Sequence, residues 1–302
     1  DYQKTFAPVA KMNSVRILLS LVANLDWPLH QFDVKNAFLH EDLAEEVYMD
    51  IPPGFADAKS KGKVCRFRKS LYELKQSPRT WFERFTQAML KYGFKQSQVD
   101  HTLFVKHFLH GKTTTLIVYV DDIVLIGDDV EEILRLKEYL AKEFEIKDLS
   151  YLKYFMGIEV ARSKDGILIC QRKYVLDLLK EIGMLGGRPC DIPLEPGQKL
   201  SEDQEGDLVV RERYQRLVGK LIYLSHSRPD IAIAIAVSMV SQFMHAPRTS
   251  HLEAIMRILR YLKSSPEKGL YFSKHSHLSV EAFTDADLVG STSGNCTFVG
   301  GN

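Results

Sequence analysis

The chain has 302 residues, 45% of them apolar, enough for two or three domains with a substantial core and the expectation of a soluble globular protein. Its formal net charge of +1 says nothing about partners, and four widely separated cysteines without metal-ligand spacing argue against a disulfide framework or zinc site and fit reduced thiols in a cytosolic or nuclear compartment. The longest apolar run, 231–240, is too short to span a bilayer and no signal peptide is visible, so no membrane partner is expected.

In chain order, 12–24 (MNSVRILLSLVAN) has helical apolar spacing, and WPLHQFDVKNAF then alternates with period two, which predicts a strand ending at Asp33 and a helix or turn around Asn36. YMDIPPGF predicts a proline-glycine loop. Segment 79–92 predicts an amphipathic helix whose apolar face carries Trp81, Phe82, Phe85, Met89 and Leu90. HTLFVKHFLHGKTTTLIVYV predicts a hairpin turning at Gly111. A helix follows over 130–144, and YLKYFMGIEVARSKDGILICQ predicts a second hairpin with its turn at Asp165-Gly166. From Lys173 the pattern is mostly helical, in YVLDLLKEIGM, YQRLVGKLIYLSH, IAIAIAVSMVSQFM and HLEAIMRILRYLKSS, with a polar linker at 195–208. LSVEAFTDADLVG then reads as the first strand of a new domain. The fold class expected is α+β, with the third quarter mostly α. The opening at Asp1 without methionine and the stop after FVGGN read as cut ends.

Charge is distributed unevenly. Segment 59–84 holds nine Lys or Arg against two acids, Glu73 and Glu83, a local net of +7. Such a run is a solvated face unless a polyanion partner is argued on other grounds. The ten histidines contain no His-x-x-x-His pair on a helical pattern and read as surface or satisfied core groups.

The stretch TTTLIVYVDDIVLIGDD places Asp121 and Asp122 between two apolar strand runs, 116–120 and 123–126. Aspartate is a favoured turn residue, and that reading stays open. Against it, Asp128-Asp129 already reads as the solvated loop that ends the strand. Two ionised carboxylates beside apolar strands repel and lose hydration, so a cation between them is the sharper reading. Without nearby His or Cys, carboxylate oxygens favour magnesium or manganese. Asp33, 88 positions before Asp121, also sits at a strand tip. Three carboxylates on two strands of one sheet suit a pair of divalent ions, the arrangement that activates a 3′-hydroxyl and stabilises leaving pyrophosphate.

With those residues in view, the sequence resembles the reverse transcriptase of copia-type long-terminal-repeat retrotransposons of plants. The resemblance rests on TFAPVAKMNSVRILLSL, FDVKNAFLHEDLAEEVYMDIPPGF, VCRFRKSLYELKQSPRTWF, YVDDIVLIGDD, LKYFMGIEV, YQRLVGKLIYLSHSRPDIA and HLEAIMRILRYLK, which run in family order over essentially the whole chain. It implies a right-hand polymerase: palm and partial fingers over 1–160, a helical thumb or connection region over 161–275, and the start of an RNase H-like domain over 276–302. It further implies an RNA-directed DNA polymerase working with two Mg²⁺ or Mn²⁺ ions on an RNA template, a DNA primer and dNTPs, in a cytoplasmic virus-like particle or the nucleus.

By the same resemblance Asp33, Asp121 and Asp122 are the metal-binding triad, with the Val34 carbonyl as an extra ligand. Phe38, Gln76 and Tyr119 contact the incoming nucleotide, although plain core packing remains open for Phe38. Tyr154, Phe155, Met156 and Gly157 grip the primer, and Arg66, Arg68, Lys69, Lys75 and Arg79 bind nucleic-acid phosphates. Departures from the family pattern are Glu73 in place of a turn glycine, no basic fingers hairpin ahead of Asp1, and Leu288 in place of a tryptophan near Asp285, the first RNase H acid. These departures support an alternative, a non-catalytic degenerate remnant that at most binds nucleic acid. A metal-dependent nuclease is a weaker third reading, because the acids lie in polymerase order.

Overall fold

The protein is described by a computed structural model that covers residues 7–39, 46–55, 62–71, 74, 76–108, 111–195, 197, 200–201, 206–228, 230–286 and 293–302. Lys59, Lys61, Glu73, Lys75 and Leu288, on which parts of the sequence reading rest, lie outside the described residues. Among those described, the content is mixed, with seven helices and four sheets. The chain forms two compact units, one of Asp1–Leu18 with Asp26–Leu152 and the other of Leu19–Leu25 with Lys153–Asn302. Helix α1 (Met12–Leu25) contributes residues to both.

The first unit is built on an antiparallel sheet. Its strands are β1 (Leu29–Val34), β4 (Lys95–Gln96), β5 (Leu103–His107), β6 (Thr113–Tyr119), β7 (Asp122–Gly127) and β8 (Ile146–Tyr151), in the order β4-β5-β6-β7-β1-β8. A separate two-stranded ribbon pairs β2 (Tyr48–Met49) with β3 (Cys65–Arg66). Because strand side chains alternate, Phe32 and Val34, Leu116 and Val118, and Ile123 and Leu125 all fall on one face, where they join a single buried cluster. Gly127 closes β7 where an added Cβ would lie 2.5 Å from the Thr113 carbonyl oxygen and 2.9 Å from Thr114 Cα, so only glycine lets the strands meet there.

Two helices cover that face. Helix α2 (Ser77–Tyr92) begins with Pro78 in its first turn, a position that needs no backbone donor. It stops at Gly93, whose φ of 98° lets its N–H reach back to the Leu90 and Met89 carbonyls. Trp81, Phe82, Phe85 and Met89 enter the core, and the Trp81 ring meets Phe144 edge-on at 5.1 Å. Helix α3 (Val130–Glu143) adds Ile133, Leu136 and Leu140. It connects β7 to β8, which returns on the far side of β1.

The Asp128-Asp129 pair forms the expected loop, with Asp128 exposed, but Asp129 is not solvated. Asp129 is buried and caps α3 by accepting from the Glu132 amide, and the Asp128 carboxylate accepts from the Thr113 amide at 2.7 Å. Asp129-x-x-Glu132 ahead of an apolar run is a helix-start pattern. The histidine reading also needs one correction. His251 is buried and satisfied at both ring nitrogens, whereas His30 Nδ1 is buried with no hydrogen-bond partner among the described residues.

The second unit carries helices α4 (Arg172–Glu181), α5 (Arg211–Ser225), α6 (Ile231–Ser241) and α7 (Thr249–Ser264) around one buried cluster. A sheet of β9 (Tyr154–Phe155), β10 (Ile158–Arg162), β11 (Gly166–Cys170) and β12 (Leu270–Ser273) runs in the order β12-β11-β10-β9. A hairpin of β13 (Val280–Ala286) and β14 (Ser293–Val299) completes it, and pairs Asp285 with Gly294. All four cysteines are free.

Candidate active site

The β6–β7 hairpin closes on the pair Tyr119↔Asp122, leaving Val120 and Asp121 as a two-residue turn. Val120 has φ of 58°, and Asp121 is not among the positive-φ residues. A positive φ at the first central position alone is the pattern in which glycine is preferred, and a β-branched residue there is strained by roughly 1–3 kcal/mol. Two bonds hold the turn. Trp81, only 2% exposed, donates its indole N–H to the Val120 carbonyl at 2.7 Å, and the Val34 amide donates to the Asp121 carbonyl at 2.9 Å.

Strand β1 brings the third acid. Asp33 lies directly across from Asp122 in the β1–β7 register, so both carboxylates leave the sheet on the face opposite Phe32 and Ile123. Gln31, two residues earlier on that face, donates to Asp122 Oδ1 at 2.9 Å. All three acids are half-buried. Burial, and then repulsion from Asp33, hold the Asp121 carboxyl above the usual aspartate range. Asp122 is also raised, first by burial, with the Gln31 bond pulling the other way and the Asp121 and Asp33 charges adding to the rise. Carboxylates raised by one another's charge are groups a cation would relieve. Hard oxygen donors without His or Cys suit Mg²⁺ or Mn²⁺. Among the described residues, no three His, Cys, Asp or Glu side chains already form a closed ligand cluster, so a bound ion would have to draw these three together.

The other expected residues fall in varied places. Phe38 is 7% exposed and belongs to the main core cluster. Tyr119 closes the turn, and Gln76 sits immediately before α2, its carbonyl accepting from the Arg79 and Thr80 amides. Arg68 and Lys69 are exposed. Arg66 pairs with Glu46 at 3.0 Å and Arg79 with Glu83 at 2.7 Å. A cavity of about 500 Å³ is bordered by Lys69, Arg84 and Lys142, and another of about 190 Å³ by Trp81, Tyr119 and Val120. The acids line neither of these, and they stand half-buried where β1 and the β6–β7 hairpin end.

In the second unit, Met156 (φ 51°) and Gly157 (φ 73°) form the two-residue turn between β9 and β10, closed by Phe155↔Ile158. Phe155 is buried, and Lys173 Nζ lies 5.3 Å from the Tyr154 ring centroid. The Tyr223 hydroxyl, from α5, donates to the Met156 carbonyl. Sequence reasoning missed both Trp81 and Tyr223 as turn anchors.

Residues 1–196 match the family model for reverse transcriptase (RNA-dependent DNA polymerase). The chain is similar to the retrovirus-related Pol polyprotein from transposon RE1 of Arabidopsis thaliana, 41% identical over 99% of this chain and 21% of that protein. The corresponding polyprotein from transposon TNT 1-94 of Nicotiana tabacum is 37% identical over 96% of this chain and 22% of its own length. A transposon Ty5-1 protein of Saccharomyces cerevisiae is 30% identical over 89% of each. The chain thus spans about a fifth of the length of the plant polyproteins.

Proposed function

We propose, since this chain belongs to the reverse transcriptase (RNA-dependent DNA polymerase) family, that Asp33, Asp121 and Asp122 hold two divalent ions for primer extension by nucleotidyl transfer. The observation that carries this reading is the register placing Asp33 opposite Asp122, with Asp121 on the adjoining turn. When bound, the ions activate the primer 3′-hydroxyl and neutralise the leaving pyrophosphate.

The chain's own residues have separate tasks. Asp33 and Asp122 present acceptor oxygens from facing strands, and Gln31 fixes the orientation of Asp122. The Val34 carbonyl is a further ligand in this reading. Phe38, Gln76 and Tyr119 contact the dNTP, and Tyr154, Phe155, Met156 and Gly157 the primer. Arg66, Arg68, Lys69, Lys75 and Arg79 neutralise phosphates of the RNA template and DNA primer, which makes binding salt-dependent. In the same reading residues 1–160 are palm and partial fingers, 161–275 thumb or connection, and 276–302 the start of an RNase H-like domain with Asp285 as its first acid.

The test is extension of a DNA primer on a heteropolymeric RNA template with Mg²⁺ and dNTPs. Asp121→Asn is expected to lower the rate on the order of 10²-fold or more, the scale for removing one preorganised electrostatic group. Equal rates for Asp121→Asn and the parent would overturn the assignment. Primer-template binding without extension by the parent would favour the non-catalytic remnant.

A further inference from the structure

We propose that Trp81 is a positioning residue for Asp121, acting through the Val120 carbonyl; the inference rests on the metal-binding reading given above. The Val120 carbonyl and the Asp121 amide belong to one planar peptide unit, and the Asp121 carbonyl and Asp122 amide to the next. Trp81 Nε1 holds the first plane at 2.7 Å and the Val34 amide holds the second at 2.9 Å. With both flanking planes anchored, the φ and ψ of Asp121 are fixed between them, and so is the direction of its Cα–Cβ bond. The side chain starts from a set origin.

The anchor is packed where the turn is exposed. Trp81 is 2% exposed, with its ring 5.7 Å from Phe85 and 5.1 Å from Phe144. Val120 is 44% exposed and holds a φ of 58° that a β-branched residue rarely adopts. Left alone, such a residue relaxes to negative φ and rotates the peptide plane that carries the Asp121 amide. Trp81 opposes that rotation from within the core, so the helix that covers one face of the sheet sets the geometry of an acid on the hairpin tip.

Strain at Val120 makes the clamp separable from ordinary packing. Glycine adopts positive φ freely, so in a Val120→Gly background the turn no longer needs Trp81 to stay in place. The experiment measures Mn²⁺ affinity of the full chain by electron paramagnetic resonance of free Mn²⁺, for the parent, Trp81→Phe, Val120→Gly, the double variant and Asp121→Asn. Trp81→Phe is expected to weaken Mn²⁺ binding about tenfold, the low end for supports of metal ligands. In the Val120→Gly background the same change is expected to cost no more than about threefold, because the strain it restrains is gone. Parent-like affinity of Trp81→Phe, or an equal loss in both backgrounds, would overturn the clamp while loss of binding in Asp121→Asn upholds the metal site. If Asp121→Asn binds Mn²⁺ like the parent, or the parent binds none, the metal reading itself falls and the positioning role falls with it.

Discussion

Two turns in this protein meet the same demand by different means. The Val120-Asp121 turn of the first unit and the Met156-Gly157 turn of the second each place a non-glycine residue at positive φ, 58° and 51°. In each, the carbonyl of that residue accepts from an aromatic side chain on a helix, Trp81 in one and Tyr223 in the other. The difference lies in what the anchor opposes. Met156 is unbranched and is followed by a glycine at φ 73°, so its turn is close to one the chain makes unaided. Val120 is β-branched and is followed by aspartate, so its turn depends on tertiary support. Strain is tolerated beside the acid pair, and the group that tolerates it is a fully packed indole.

The largest effect is expected from removing the stronger anchor. Trp81→Ala is expected to destabilise the first unit by about 3–5 kcal/mol through the cavity it leaves, whereas Tyr223→Phe should cost about 0.5–1.5 kcal/mol for a single hydrogen bond. Urea denaturation of both variants checks the ranking, and equal losses would contradict it. Between these extremes, Gly157→Val puts a β-branched residue at positive φ in the second turn. It should cost at least about 1–3 kcal/mol from the backbone alone, the Cβ itself finding ordinary contacts 3.6 Å from Tyr174 and Tyr223 and any crowding of the γ-methyls against those rings adding to it. The same variant should weaken primer-template binding, measured by fluorescence anisotropy, if that turn grips the primer.

The smallest effect concerns charge. Asp121 has a raised carboxyl pKa in the fold, from burial first and Asp33 second. A raised acid binds its proton more tightly when folded, so stability falls as pH rises from the ordinary aspartate value, about 3.9, through the raised one. Asp121→Asn removes that dependence. In EDTA at neutral pH it should melt slightly above the parent, and the advantage should vanish as pH falls below the ordinary aspartate value. A parent that melts higher throughout would show that the Asp121 charge is compensated by the protein itself.

Much of this was legible in the sequence, for identifiable reasons. The runs 116–120 and 123–126 are aliphatic at nearly every position because their strands are central and buried on both faces, and Asp33 ends a clean period-two segment. β8 was not legible, since it is an edge strand reading Ile-Lys-Asp-Leu-Ser-Tyr with most positions exposed. The Asp129 cap is written in the sequence as Asp-x-x-Glu, but the pair Asp128-Asp129 after a glycine has the composition of a loop, which hides it. The Trp81–Val120 bond spans 39 residues, and nothing in local spacing marks a core tryptophan as a donor to a distant turn. Turn preferences also mislead at Val120, because they favour glycine where the tertiary structure holds a valine.

The alternation of β1 has a consequence for errors in folding. Phe32 pairs with Ile123 and Asp33 with Asp122, so the residue that anchors the strand in the core and the residue that faces its fellow acid are neighbours. A slip of one position would turn Asp33 into the apolar cluster and take Phe32, 0% exposed in the native fold, out of it onto the opposite face among the acids. A molecule with misaligned acids is therefore also one with a ruined interior, open to proteolysis and aggregation. A register error therefore shows as loss of the fold, on which chaperones and proteases act, rather than as a well-folded protein with a defective site.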